Sequence, residues 1–432
     1  MNKSTVPTNT NPSVGRTSLV LLLVIALLNT MGITIIVPIV PFLLLRYLAH
    51  SNNLAVTVGW LTAAYGICQL IAAPGLGVLS DRFGRRPILF ICLLGSVFGY
   101  LILGLGGALW LFFLGRIIDG LTGGNISVLF GYVADITEPK DRGKYFGMLG
   151  AAASIGTLIG PVLGGLLAAI NYSVPFFAAA GLLLLTLVWG YFFLPESLHK
   201  EHRITSIAMS ELNPLKQLAS AFRVANLRWL LLAWFLYAFP VGMLQTTITV
   251  LMKDSLGFNV TQASLVITVL GAVDILVQGV LVGWLLAMLG NIKLGLIAFV
   301  LVGISYLLLG SLAFLATPIL LLVGITLFAG SGSLVENAVR GLISGMVGRS
   351  EQGRVIGATQ SLQSLGWVVG PLVGGFVYAA WGHFQAYALA SFSTILAIAC
   401  LWIALPLLQK HQAKEQTSGG EQEAASLSLE EN

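Results

Sequence analysis

Three carboxylates lie inside runs of residues that are otherwise apolar: Asp119, Asp274 and Glu336. A charged group in hydrocarbon is costly, so acids at such depth usually have work to do. Asp119 follows Arg116 by three residues in Gly115-Arg116-Ile-Ile-Asp119-Gly120, one helical turn away. Two readings fit that pair: a carboxylate exchanging its proton beside a guanidinium, or a static pair that only neutralises itself. Asp274 has no basic residue within a helical turn. Such a carboxylate can take up and release a proton, or stay protonated as a structural hydrogen-bonding group. Glu336 has Arg340 four residues on, the spacing of an ion pair on one helix face. It reads as a gate pair or as an entrance for cationic ligands. All five histidines (His50, His199, His202, His383, His411) fall between the apolar runs or in the tail, so proton chemistry falls to the carboxylates. Asp119, Arg116 and Asp274 are therefore the proton-coupling candidates. Asn29, Asn125, Tyr237, Gln245, Glu336 and Gln363 are the ligand-binding candidates, with Trp234 and Phe239 adding flat apolar surface. Against the aromatic part of that reading, Trp and Tyr near helix ends also serve as interfacial anchors.

The elements that must position these groups follow from composition. The chain of 432 residues is 57% hydrophobic and 9% charged, whereas soluble domains carry about 25% charged residues. It is an integral membrane protein. Apolar runs near 17–45, 56–79, 88–106, 108–134, 145–169, 173–194, 228–252, 261–286, 292–314, 317–345, 354–380 and 384–407 are each long enough to cross a bilayer. The expected fold is all-α, with twelve transmembrane helices in two six-helix bundles. The expected organisation is a tail over 1–16, a first bundle over 17–194, a cytoplasmic linker over 195–227, a second bundle over 228–407 and a disordered tail over 408–432. No small-residue cleavage site follows the first run, so it reads as a retained helix. With the N-terminus inside, only Arg46 and Lys253 among the loop bases fall outside, which places both termini in the cytoplasm of a cell membrane. The formal charge of +5 resides in short loops and does not point to nucleic acid. Cys68, Cys92 and Cys400 lie in apolar runs and read as packing residues.

Two motifs organise the spans. Gly77-Val-Leu-Ser-Asp81-Arg82-Phe-Gly84-Arg85-Arg86 joins the second and third runs, so it must turn tightly at one membrane face. Gly84 frees the backbone there, the arginines hold the loop inside, and Asp81 can pair with Arg85. In the fifth run Gly156, Gly160 and Gly164 recur every four residues, with Pro161 and Gly165 beside them. Such a face admits a neighbouring helix closely, and the proline permits a bend. The pattern returns as Gly366-x3-Gly370-Pro371-x2-Gly374-Gly375. A degraded loop copy, Gly283-x-Leu285-x4-Gly290, has Ala287 and Asn291 at the positions of Asp81 and Arg85. Tandem repeats of this kind build alternating-access transporters, with substrate near the midplane.

The loop resembles the signature of the major facilitator superfamily. Leu28-Asn29-Thr-Met-Gly32 through Pro41, with Tyr65, Gln69, Ala73, Pro74 and the glycine–proline motif, resembles the drug:proton antiporters related to the tetracycline exporters. The resemblance implies a charge network of Asp81, Arg85, Asp135 and Arg142 that latches the cytoplasmic face. Arg82, Arg86, Gly77, Gly84 and Arg340 are taken with it as gate residues. It implies a proton-transfer role for Arg116, whereas Asp119 is this chain's own addition. Where that branch carries aspartates in spans one, three and nine, this chain has Asn29, Gly99 and no acid. Where it carries a histidine followed by glutamine, this chain has Asp274 and Gln278. Family and direction of transport carry over; a tetracycline–metal substrate does not.

The resulting expectation is a secondary active transporter that expels small amphipathic molecules against protons. Its partners are a small-molecule substrate, protons and the lipid bilayer; it works as a monomer and needs no cofactor beyond the proton gradient. No phosphate-cradling loop, metal-ligand cluster or nucleophile–base pair is visible, so enzymatic catalysis and ATP use lack support. The alternatives are a sugar or organic-solute symporter or uniporter, and a non-transporting membrane sensor.

Overall fold

The computed structural model describes residues 12–48, 53–138, 141–198, 201, 203–204, 227–347 and 352–430, without the side chains of 12–17, 352–354, 356 and 409–430. Most of the expected linker over 195–227 therefore lies outside the described residues.

The first half runs α1 (Pro12–Ile36), α2 (Val40–Leu44), α3 (Leu54–Phe83), α4 (Arg85–Leu105), α5 (Leu109–Leu121), α6 (Asn125–Ile136), α7 (Arg142–Ala168) and α8 (Val174–Phe193). The second runs α9 (Arg228–Leu256), α10 (Val260–Leu276), a π turn over Val277–Leu281, α11 (Val282–Gly310), α12 (Pro318–Gly345), α13 (Gln352–Trp381) and α14 (His383–Glu430). No strand occurs among the described residues. Helices suit a chain in lipid, because each satisfies its backbone groups within its own segment. Eleven described helical stretches are long and apolar enough to cross a membrane. One of them, Val260–Ala313, has 54 residues, about twice what a crossing needs. It breaks at Gly290, whose φ of 70° and ψ of 166° are not helical. The twelve expected crossings are thus accounted for.

Two departures from expectation concern helix continuity. The fourth crossing, expected unbroken over 108–134, is interrupted at Thr122-Gly123-Gly124 between α5 and α6. Two consecutive glycines weaken the helix, and a side chain from α3 takes over a freed carbonyl: Gln69 Nε2 donates to Gly123 O at 3.1 Å. The tail expected to be disordered over 408–432 instead continues α14 as helical backbone to Glu430. Its Gln, Ala, Lys and Glu residues are strong helix formers.

The chain forms two compact units. The first comprises Met1–Leu54, Leu61–Leu212 and Gly257–Gly271; the second comprises Ala55–Trp60, Asn213–Leu256 and Ala272–Asn432. In the first, α1 packs along α7 and α8, and α4 along α5 and α8. In the second, α9 packs along α13 and α14, and α11 along α12 and α14. The glycine motifs set both seams. A Cβ on Gly156, Gly160 or Gly164 would strike the α1 backbone at Leu27, Met31 and Ile35. One on Gly370 would lie 2.9 Å from Met243 N of α9, and Pro371 Cδ lies 3.1 Å from where a Gly242 Cβ would be. Gly165 is equally confined, its Cβ position 2.6 Å from Ser264 Cβ.

Candidate membrane-embedded charge sites

In the first unit, α5 brings Asp119 into a fully packed position, 2% exposed. Its Oδ1 accepts a hydrogen bond from Ser96 Oγ of α4 at 2.8 Å. Its Oδ2 lies 3.5 Å from Arg116 Nη1 but makes no hydrogen bond. The guanidinium instead lies over the Tyr65 ring of α3, 4.4 Å from its centroid, a cation–π contact. Gly99 makes this arrangement possible. A Cβ there would be 2.9 Å from Gly115 O and 3.1 Å from Asp119 Cβ. Asn29 and Asn125 are also brought together, Asn125 Nδ2 donating to Asn29 Oδ1 at 2.6 Å. Both are buried, and their bond ties α1 to α6.

In the second unit, Asp274 is half-buried in the last turn of α10, which runs into the π turn at Val277. It accepts Gln278 Nε2 on both oxygens, at 3.0 and 3.1 Å, and the Ser333 hydroxyl of α12. Among the described residues it has no ion pair, and π turns recur at functional sites. Glu336 lies one turn before Arg340 on α12, and the pair closes at 2.6 Å. Arg340 Nη2 also donates to Gln363 Oε1 of α13 at 3.3 Å, and its guanidinium sits 5.2 Å from the Trp234 ring centroid. Tyr237 is buried and donates to Gly332 O at 3.0 Å. Gln245 is exposed and has no side-chain partner among the described residues. Gln278, Ser333, Ser96 and Tyr65 thus complete sites whose acids the sequence marks, with only the helical spacing of Gln278 to signal a partner.

At the α3–α4 turn, Gly84 takes φ 110°, open only to glycine at low cost. Arg85 reaches Asp81 at 2.6 Å and Asp135 of α6 at 3.1 Å, and donates to Ser80 Oγ at 2.7 Å. Gly131 must be small, since a Cβ there would lie 2.8 Å from the Arg85 guanidinium. Arg86 packs over Phe90 and Tyr191, and Arg82 over Phe83. One correction concerns the expected network. Arg142, the first residue of α7, is exposed and forms no ion pair with a described residue. Gly77, taken with the gate residues, faces open space. Glu196, missed in the sequence, fills the network instead. Its Oε1 accepts Arg85 N–H at 2.8 Å and its Oε2 accepts Arg86 N–H at 3.3 Å. These are the orphan donors at the start of α4, and a carboxylate is the natural group to cap them. Ser197 donates to Asp135 Oδ2 at 3.0 Å, and Ile204 N–H to Asp81 O at 3.2 Å.

Comparison with known proteins agrees with this geometry. The family model for the Major Facilitator Superfamily matches residues 22–367 and 230–430. The chain is a member of that superfamily. It is 32% identical over 404 residues to the class C tetracycline resistance protein of Escherichia coli, covering 93% of this chain and 98% of that one. It is 31% identical over 377 residues to multidrug resistance protein 2 of Bacillus subtilis, covering 85% of this chain and 90% of that one. The crystal structure of the human organic anion transporter MFSD10 superposes with a TM-score of 0.69 at 24% identity, covering 90% of this chain and 99% of that chain. The resemblance to the drug:proton antiporter branch therefore holds across nearly the whole chain, and the fold is that of a membrane transporter. Neither the symporter nor the sensor alternative is favoured.

Proposed function

We propose that the chain exports small amphipathic molecules across the cell membrane in exchange for protons, as a monomer with both termini cytoplasmic. The observation that carries this is the Asp119 site. A carboxylate enclosed in the membrane stands 3.5 Å from a guanidinium to which it makes no hydrogen bond. A pair so loosely joined can gain or lose a proton without breaking a directional contact, whereas a static pair would close to hydrogen-bond distance. Asp274, held only by uncharged donors, is the second proton site of the reading. The resistance functions printed in the names of the two bacterial relatives support the choice of substrate and direction. No cofactor enters the cycle, and no step is chemical; binding, proton exchange and reorientation suffice.

The α3–α4 turn acts in this reading as the cytoplasmic latch, built from Asp81, Arg85, Asp135 and Glu196. Its counterpart in the second half, with Ala287 and Asn291, lacks these charges, so the latch is one-sided.

The test is reconstitution into proteoliposomes with an imposed pH gradient. An uncharged amphipathic dye should move against its own gradient, and a protonophore should stop it. Movement of sugars with the proton, or no movement of any compound, would overturn the reading.

A further inference from the structure

The C-terminal end of α12 and the first half of α13 enclose a cavity of about 300 Å³, at the small end of the range for ligand pockets. Arg340, Ser344, Gln360 and Gln363 supply its polar surface, and Ile343 and Val355 its apolar surface. Arg340 is the one charged residue among the described lining residues. Its side chain is 49% exposed.

The guanidinium is held from several sides. Glu336 Oε1 and Gln363 Oε1 both take Nη2, at 2.6 and 3.3 Å. The Trp234 ring lies beneath it, fixed in turn by donation from Trp234 Nε1 to Thr359 O at 2.9 Å. Nε and Nη1 have no partner among the described residues. An arginine anchored through one nitrogen, with further donors unpaired beside a cavity, is prepared to receive an acceptor, and little side-chain freedom is lost when it does.

The sign of that acceptor follows from the lining. A cation entering here would meet Arg340 without a counter-charge, because Glu336 does not line the cavity and already faces the guanidinium. An uncharged ligand would gain an ordinary hydrogen bond at most. An anionic oxygen group would gain a charge-assisted one, while its apolar body rests on Ile343 and Val355. We infer that this cavity recognises the acidic group of an amphipathic organic anion, with Arg340 as donor and Glu336 as the residue that positions it. This rests on the export reading above and names a substrate class for it. An anionic lipid headgroup shares the same chemistry, so the test must separate the two sources.

The probes are 1-naphthoate and its uncharged counterpart 1-naphthamide, bound to the purified full chain in neutral detergent. Wild type should bind the naphthoate about tenfold tighter or more, the worth of a hydrogen bond to a charged group. Arg340→Gln should bring the ratio to about one. Removing Arg340 leaves Glu336 unpaired and could unfold the protein, so Gln360→Glu serves as the second variant. It sets a negative charge in the lining and should lower naphthoate binding while naphthamide binding persists. Equal binding of the two probes by wild type, or a ratio that survives in both variants, would overturn the inference. Gradient-driven movement of naphthoate by proteoliposomes would support the substrate source. Displacement of naphthoate by added phosphatidylglycerol, with no naphthoate movement, would overturn that source in favour of lipid. Continued export of an uncharged dye by a protein that does not prefer naphthoate would sink this inference alone. Loss of all gradient-driven movement would sink the export reading, whatever the probes bind.

Discussion

Glu196 and Arg85 stand 111 residues apart in the chain, yet the carboxylate of the first accepts the backbone N–H of the second at 2.8 Å. The contact ties the segment after α8 to the turn between α3 and α4. It also caps a helix whose first amides would otherwise lack partners. Glu196→Ala should lower stability by about 0.5–2 kcal/mol, the usual effect of losing a cap. Glu196→Gln, which keeps an acceptor, should lose less. Thermal unfolding of the purified variants in detergent measures both, and equal losses would deny the carboxylate a capping role.

Asp81 holds the same arginine from the other side, at 2.6 Å. Asp81→Asn removes a charge that Arg85 faces, leaving Asp135 as its remaining anionic partner. Export should fall strongly while the amount of protein in the membrane stays the same. Vesicle transport scaled to immunoblotted protein checks this. Full activity would remove the latch from the mechanism.

How far these sites were legible in the sequence depended on distance along the chain. Asp81 and Arg85 sit within one turn of each other, and hydrocarbon on both sides leaves the loop no room to go elsewhere, so their pairing could be read directly. The Arg116–Asp119 and Glu336–Arg340 pairs were legible for the same reason of helical spacing. Glu196 was not, because nothing local marks which helix end a distant carboxylate will cap. Ser333 reaches Asp274 across 59 residues, and a serine in an apolar run gives no hint of its partner. The break at Gly123-Gly124 was half-visible: the glycines stood in plain view, but apolar length argued for one continuous helix. The side-chain contacts from Gln69, Thr122 and Ser127 to carbonyls around the break show what makes the interruption tolerable in lipid. Arg142 shows the opposite failure, since its place in the network came from resemblance and not from any spacing that would force it there.

Gly99 is a position where space, not conformation, demands glycine. Gly99→Ala would place a methyl group 2.9 Å from Gly115 O and 3.1 Å from Asp119 Cβ. Overpacking of this kind costs about 1–3 kcal/mol, and it pushes on the Gly115 carbonyl and on the stem of the Asp119 side chain, shifting the carboxylate with it. The variant should therefore unfold at lower temperature and also lose proton-driven transport out of proportion to its lost stability. A variant that is destabilised but transports normally per folded molecule would show that the placement of Asp119 is not critical.

The last prediction concerns the division of proton work between Asp119 and Asp274. Antiport needs a site that is protonated on one side of the membrane and deprotonated on the other, with substrate binding tied to that change. Asp274 is held by Gln278 and Ser333, both of which can donate to a carboxylate and neither of which carries charge. An amide can take the place of the protonated acid there without leaving a charge unpaired. Asp274→Asn should then abolish efflux driven by a pH gradient while substrate binding, and exchange of substrate for substrate, persist. Asp119 differs because Arg116 lies 3.5 Å away in a site that is almost closed to solvent. Asp119→Asn leaves that guanidinium without its carboxylate, and an unpaired charge in such surroundings is strongly destabilising, by about 3–5 kcal/mol where buried pairs have been broken. It should damage folding or binding as well as coupling. Ser333→Ala offers a milder probe of Asp274, since it removes one donor and leaves Gln278 in place. Efflux, equilibrium binding and exchange measured side by side on the three variants would distinguish the roles. Undiminished proton-driven efflux in Asp274→Asn would show that the proton is carried elsewhere, at Asp119 or Glu336.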